Sequence, residues 1–240
     1  MEFDHSLWGQ VVPDGSRFCH WGGKRLSKRV AKQLGTCEND CVLDVCCGEG
    51  GTIDFLQQAK NIVGIDISVE AILRAQTSGS NENAVFVVAD AQHLPFPSHT
   101  FDKALAQDAD AWMHPDKIGL MREIARVIKP GGKFVWQSYT TRKKLCPQIT
   151  DLLEQVGYSC YDMPEESKIP IMFKEGGFTI ESIRSLHSVY TADNMRMLRR
   201  ARTLCTKSAE NLLQLLELEQ GLFRKNLWTG TLITARRGSG

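Results

Sequence analysis

The chain has 240 residues, 42% apolar and 24% charged, with a formal net charge of +1. This is the balance of a soluble globular domain, and it gives no electrostatic case for nucleic acid or an anionic membrane as a partner. There is no apolar run of about 18 residues to offer a transmembrane helix, and MEFDHSLWGQ lacks the basic, apolar pattern of a secretory leader, so a cytoplasmic setting is expected.

Residues 1 to 25 hold Trp8, His20, Trp21, Gly22 and Gly23 and read as a cover over a site or an ordered arm. Ser27–Leu34 places Val30, Ala31 and Leu34 on a helical stripe that Gly35 stops. Cys41–Val45 is a buried strand, followed by a sharp turn through Gly48, Gly50 and Gly51. A helix is expected over Gly51–Lys60, with Ile53, Phe55, Leu56 and Ala59 facing in and its free amides turned to a ligand. Strands follow at Asn61–Asp66, Ala84–Ala89, Phe101–Gln107 and Lys133–Tyr139. Helices fall at Val69–Thr77, capped by Ser68, and at Asp116–Ile128, ended by Pro130-Gly131-Gly132. This alternation predicts right-handed βαβ units and a parallel, doubly wound sheet.

Beyond Tyr139 the regularity fades. Thr140–Pro164 holds a short amphipathic helix, Ile149–Val156, and an extended piece, Tyr158–Tyr161. Lys168–Glu175 reads as a helix stopped by Gly176-Gly177, and Phe178–Val189 as a sixth strand region. Asn194–Phe223 has no glycine or proline before Gly221, so it is one long helix or two with a kink near Cys205–Ser208. Its leucines at 212, 213, 215, 216 and 218 suit packing on the same domain or on a second copy, which leaves monomer and homodimer open. Leu227–Arg236 is the last strand. The cysteines at 37, 41, 46 and 47 lack the separated CxxC pairs of a zinc site, so free thiols and no metal are expected.

The chemistry gathers at Val42–Thr52, VLDVCCGEGGT. A dinucleotide fingerprint fails because Ile53 stands at the third glycine position, and no GK[ST] follows to make a P-loop. Asp66, at the end of the second strand, can accept both hydroxyls of a ribose; the alternative is a cap on the next helix. Asp90, at the end of the third strand, can accept from an adenine amino group, or be a solvated loop acid. With Asp44, these acids at successive strand ends point to an adenosine-type ligand with an amino-acid tail.

On these motifs the chain resembles the class I S-adenosylmethionine-dependent methyltransferases over roughly residues 40 to 140. VLDVCCGEGG matches the family's first motif, VGIDIS the second, VVADAQHLPFPSHTFDKALA the third and fourth, and REIARVIKPGG the segment before strand five. Cys46 departs from the family's usual glycine. The resemblance implies a Rossmann-like, seven-stranded, mostly parallel doubly wound α/β sheet with an antiparallel last strand and a helical lid. A single domain is implied: residues 1–35 as arm or lid, 36–139 as cofactor core, 140–164 and 190–226 as substrate cap, and 227–236 as last strand. It also implies S-adenosyl-L-methionine as cofactor. Cys46, Gly48 and Gly50 would then lie near the methionine part, Asp66 and Ile67 would bracket ribose and adenine, Asp90 and Ala91 would contact adenine, and Gln107 would pass under the sulfonium.

More narrowly, QDADAWMHPDK, HWGG and LWTGTLITARR resemble the sarcosine and dimethylglycine N-methyltransferases. That implies a small-molecule acceptor, with an amine nitrogen taking the methyl by direct in-line transfer. An O- or C-methyltransferase of a natural-product or quinone-like acceptor stays open, as does a fold that binds cofactor without turnover. A macromolecular acceptor is disfavoured, since no [DN]PP[YF] follows strand four and no basic stripe is present. Asp108 is the candidate acceptor-orienting carboxylate. His114 is a candidate general base or an ordinary helix-start histidine before Pro115. Trp8, Trp21 and Trp112 fall in segments expected over the site, as faces for a cationic ammonium or as a lid against water. Trp136 and Trp228 read as core.

Overall fold

The computed structural model describes residues 10–12, 14–78, 81–109, 115–155, 163–204 and 207–239. Trp8, Trp112, His114 and the extended piece at Tyr158–Tyr161 lie outside the described residues. The strands are β1 (Cys41–Val45), β2 (Asn61–Asp66), β3 (Ala84–Val88), β4 (Phe101–Gln107), β5 (Ile128–Thr141), β6 (Phe178–Ser185) and β7 (Trp228–Arg237). They form one seven-stranded sheet in the order β3-β2-β1-β4-β5-β7-β6. β7 runs antiparallel between β5 and β6, and the other pairings are parallel. The helices are α1 (Gly23–Leu34), α2 (Val69–Ser78), α3 (Lys117–Val127), α4 (Pro147–Gln155), α5 (Ile169–Glu175), α6 (His187–Ala201) and α7 (Lys207–Arg224).

Alternation along the strands divides the core between two faces. Val42, Leu105, Val135 and Leu232 face one side with Leu26, Val30 and Leu34 of α1 and Leu212 and Leu215 of α7. Leu43, Ala104, Phe134 and Trp136 face the other with Leu120, Met121 and Ile124 of α3 and Phe173 of α5. A strand covered on both faces needs a continuous apolar run, and β1, CVLDV, is such a run apart from Asp44. Trp136 and Trp228 are fully buried, as expected of core residues. Among the described residues no helix is long and apolar enough to cross a membrane.

Three expectations need correction. The helix over Gly51–Lys60 is absent; a 3₁₀ turn, Ile53–Phe55, stands there. Ile53, Leu56 and Ala59 are the buried apolar side chains, and they recur every third residue. Their backbone bonds are accordingly i to i+3: Ile53 to Gly50, Leu56 to Ile53 and Ala59 to Leu56. The glycine loop therefore has no α-helix N-terminus behind it, and its own amides must serve a ligand. The sixth strand ends at Ser185, not Val189, because the Ser185 hydroxyl accepts from the His187 amide and α6 begins there. The fifth strand starts at Ile128, before Pro130-Gly131-Gly132, which is absorbed by a register shift against β4. Of the alternatives for Asn194–Phe223, two helices are found, His187–Ala201 and Lys207–Arg224.

Candidate active site

Strand order reverses between β2-β1 and β1-β4, and in open α/β sheets the crevice at the carboxyl ends beside such a switch holds the ligand. The structure brings the loop after Val45, Asp66, Asp90 and Asp108 to this edge. The loop turns through Cys46 (φ 58°), Gly48 (φ 53°) and Gly50 (φ 75°), all left-handed. A side chain at Gly50 would strike the Phe86 ring, whereas nothing lies within 4 Å of where one at Gly48 would stand. Asp66 ties the loop to β2: Oδ2 accepts from the Gly48 amide at 2.9 Å and Oδ1 from the Ser68 amide at 2.9 Å. The Ser68 hydroxyl in turn caps α2 through the Ala71 amide. A carboxylate has about four lone-pair sites, so Asp66 keeps two for a ligand.

Asp44 is 3% exposed, and its carboxylate accepts no hydrogen bond among the described residues. Burial, and then the charge of Asp66, push its pKa well above the usual carboxylate range. Cys47 lies under the same influences, burial first and then Asp44 and Asp66, and its thiol is pushed upward. It is an inert wall residue rather than a nucleophile. Ile67 is 73% exposed at the loop tip, and Ala91 is buried. Asp90 accepts from the Gln92 amide at 2.8 Å. Behind it, Glu123 and Arg126 of α3 hold the backbone of Leu94 and Phe96.

The N-terminal segment closes over this cradle. The Ser16 hydroxyl donates to Glu49 at 2.8 Å, and Arg17 pairs with Asp54 at 2.8 Å. A Cβ at Gly51 would stand 2.0 Å from the Arg17 carbonyl oxygen, so only glycine admits the approach. The segment then reaches Asp108, which lies one residue past β4 at φ 40°. Its Oδ2 accepts from the Trp21 amide at 3.0 Å and its Oδ1 from the Tyr190 hydroxyl at 2.5 Å.

Tyr190 is the last link of a buried chain. Thr52 donates to Gln107 at 2.6 Å, Gln107 to Gln137 at 2.8 Å, and Gln137 to Tyr190. At the other end Ser27 contacts both Thr52 and His20 Nε2 at 2.8 Å. Thr52 has one hydroxyl hydrogen and gives it to Gln107, so Ser27 donates to Thr52 and accepts from His20 Nε2; Nδ1, 3.2 Å from the Trp21 carbonyl, is a second donor only when the ring is protonated. Every donor then points toward Asp108, whose carboxylate is the acceptor terminus. Burial lowers the His20 pKa, opposed by the Trp21 carbonyl and the charges of Asp193 and Asp14. The Gln107 side chain, expected under a sulfonium, thus holds Thr52 with its amide oxygen and Gln137 with its amide nitrogen.

Trp21 is only 3% exposed. Its ring stacks on Tyr190 at 5.6 Å and meets Tyr139 and Phe223 edge-on at 5.9 and 5.7 Å. Ser27, Thr52, Gln137, Tyr190, Asp193, Asn194 and Glu219 were not anticipated from the sequence. The available signal was a polar residue inside an apolar pattern, such as Gln137 in KFVWQSY or Glu219 in the leucine face of α7.

A family described as "Methyltransferase domain" matches residues 43–136. A demethylmenaquinone methyltransferase of Staphylococcus aureus is 30% identical over 183 residues, 66% of this chain and 76% of that one. The chain belongs to the S-adenosylmethionine-dependent methyltransferases. Phosphoethanolamine N-methyltransferase 1 of Arabidopsis thaliana is 31% identical over 69% of this chain but 34% of its own length, so the chain spans about a third of that relative. Among solved structures, Haemonchus contortus phosphoethanolamine N-methyltransferase 2, in complex with phosphomonomethylethanolamine and S-adenosylhomocysteine, has TM-score 0.84 and 17% identity, covering 98% of this chain and 57% of that one. A protein assigned as a sarcosine dimethylglycine methyltransferase from Galdieria sulphuraria has TM-score 0.77 and 20% identity, covering 90% and 86%. At these identities the structural likeness is one of fold.

Proposed function

We propose that the protein methylates a small molecule at an amine nitrogen, by in-line transfer from S-adenosylmethionine. The observation that carries the amine reading is the sign of the interior. Asp44 and Glu219 are buried with no basic side chain bonded to them, Asp40 and Asp193 are buried and pair with Lys103 and Arg196, and no lysine or arginine is itself buried among the described residues. Such an interior favours cations and offers no buried partner to a phosphate or carboxylate. The ring faces around Trp21 add attraction for an ammonium group.

In this reading the donor lies in the glycine cradle. The unpartnered Asp44 carboxylate meets its ammonium, Cys46, Gly48 and Gly50 line its methionine part, and Asp66 takes the ribose hydroxyls. Ile67 and Ala91 flank the adenine, and Asp90 accepts from its amino group. Bound there, the cofactor supplies a methyl already activated on a sulfonium. Gln107 forms a fixed floor, since both ends of its amide are held. Asp108 orients the acceptor at near-attack distance, and His114 is the candidate base for an N–H proton. Residues 1–35, 140–164 and 190–226 form the cap that excludes water, with Trp8, Trp21 and Trp112 as its aromatic wall.

A screen of methyl transfer from S-adenosylmethionine to amines, phenols and thiols tests this. Transfer to a small amine is the expected result. Turnover of phenols or quinone analogues alone replaces it with O- or C-methylation, the second reading, which the identity to a demethylmenaquinone methyltransferase favours. Failure to bind both S-adenosylmethionine and S-adenosylhomocysteine in calorimetry removes both.

A further inference from the structure

Helices α6 and α7 face each other with apolar stripes that polar residues interrupt. On α6 the buried positions are Tyr190, Asp193, Asn194, Met197, Leu198 and Ala201; on α7 they are Leu212, Leu215, Leu216, Glu219, Leu222 and Phe223. Asp193 is bonded to the Gly22 amide and to Arg196, whereas Asn194 and Glu219 stand at helical core positions and meet one another. Asn194 Nδ2 donates to the Leu216 carbonyl at 3.0 Å and to Glu219 Oε2 at 3.3 Å. Glu219 and Asn194 are each 0% exposed. Glu219 Oε1 and Asn194 Oδ1 are both buried without a hydrogen-bond partner.

Two acceptor oxygens left bare in the same contact are an expensive arrangement for a core. Leucines there would pack without it, so packing does not account for the pair. What the pair lacks is a charged donor, and an ammonium carrying N–H bonds supplies it, with matching charge once Glu219 gives up the proton that burial holds on it below about pH 8. The location agrees. Asn194 lies one turn from Tyr190 and Glu219 one turn from Phe223, on the same helix faces. Tyr190 and Phe223 are two of the rings around Trp21. Next to Asn194, Asp193 accepts from the Gly22 amide at 2.6 Å. Burial pushes the Glu219 carboxyl up to about 8, and the charge of Asp108 adds to the rise, so Glu219 lies within electrostatic range of Asp108.

We infer that Glu219 and Asn194 form the ammonium-reading subsite of the acceptor pocket, selecting protonated amines that keep at least one N–H over quaternary ammonium and neutral isosteres. The inference rests on the amine reading above and gives that reading a named specificity determinant.

The test uses the full chain saturated with S-adenosylhomocysteine and three probes on one two-carbon alcohol frame. N,N-dimethylethanolamine is a cation with an N–H, choline is a cation without one, and 3-methylbutan-1-ol is the neutral isostere. Calorimetry should show the first binding about tenfold or more tightly over the other two, the scale of one charged hydrogen bond. Glu219→Gln, which keeps an oxygen for Asn194, should remove that preference and leave the affinity for S-adenosylhomocysteine unchanged. Glu219→Met, with similar volume and no acceptor atoms, should behave alike and decides the matter if the glutamine variant does not fold. If the wild type binds all three alike, the amine reading and this inference fall together; if it binds the two cations alike and both over the alcohol, the inference alone falls. If both the wild type and the variants show it, only the assignment to Glu219 falls.

Discussion

The two sides of the crevice are built in opposite ways. The donor side comes from one short stretch, Cys41 to Ser68, and its contacts are mostly backbone: the left-handed loop, the Gly48 amide and the Ser68 amide. The side proposed for the acceptor draws side chains from His20, Ser27, Thr52, Gln107, Asp108, Gln137 and Tyr190, joined by hydrogen bonds across the fold, with Glu219 apart from them on Asn194. Each side nevertheless buries an acid with unfilled lone pairs, Asp44 on one and Glu219 on the other. A fold that gives the donor side to local turn chemistry can change the acceptor by changing a few distant side chains. The donor side thus rests on local backbone chemistry, while the acceptor side rests on side chains that only the fold brings together.

The largest effect expected from this contrast is at Glu219. Its folded pKa of about 8 lies above the ordinary value of 4.5. Between those values the folded protein holds a proton that the unfolded chain has released. Stability therefore falls as pH rises from about 4.5 through 8, and the whole penalty stands above that range. At ~1.4 kcal/mol per tenfold step, it is at most ~5 kcal/mol. Glu219→Gln has no such proton, so its stability should match the wild type near pH 4.5 and exceed it by up to that amount near pH 9. Denaturant unfolding across the range measures the difference. Parallel profiles for the two proteins would show that the Glu219 site is solvated and would dissolve the symmetry with Asp44.

On the donor side the largest effect is at Asp66. Asp66→Ala removes the acceptor of two backbone amides and of the proposed ribose contact. S-adenosylhomocysteine binding should weaken by about a hundredfold or more, ~3 kcal/mol, as charged hydrogen bonds are lost. Asp66→Asn, which keeps one acceptor oxygen, should fall between. Calorimetric affinities equal to the wild type would remove Asp66 from the site and leave it as a loop anchor.

The same contrast explains what the sequence made legible. Strands β1 to β5, the existence of β7 and the acids at strand ends follow from patterns confined to a few residues: apolar runs, glycines, acids at fixed offsets; the antiparallel direction of β7 came from the family resemblance alone. The missing helix after Gly51 was legible in principle, in the three-residue spacing of Ile53, Leu56 and Ala59, which competes with the four-residue step of an α-helix. The Asp108–Tyr190 bond spans 82 positions, and no local pattern encodes such a pairing. Glu219 and Asn194 were visible only as breaks in otherwise apolar faces. Such breaks mark where folding and function pull apart, but they do not say which partner lies opposite.

The smallest effect isolates the backbone of the cradle. Cys46 holds φ 58°, a conformation that a side chain disfavours by ~1–2 kcal/mol and glycine does not. Glycine also loses more entropy on folding, ~0.5–1 kcal/mol, so Cys46→Gly should gain only about 0.5 kcal/mol over the wild type. Cys46→Ala keeps the strain and loses the sulfur packing that leaves Cys46 half-buried against the sheet. The ordering glycine above cysteine above alanine in denaturant stability, with S-adenosylhomocysteine affinity within about twofold throughout, is the signature of a site made from backbone. If alanine instead equals or exceeds glycine, the left-handed turn is not under strain. If either variant loses the ligand, the Cys46 sulfur itself belongs to the donor pocket, and the donor side depends on its side chains as the acceptor side does.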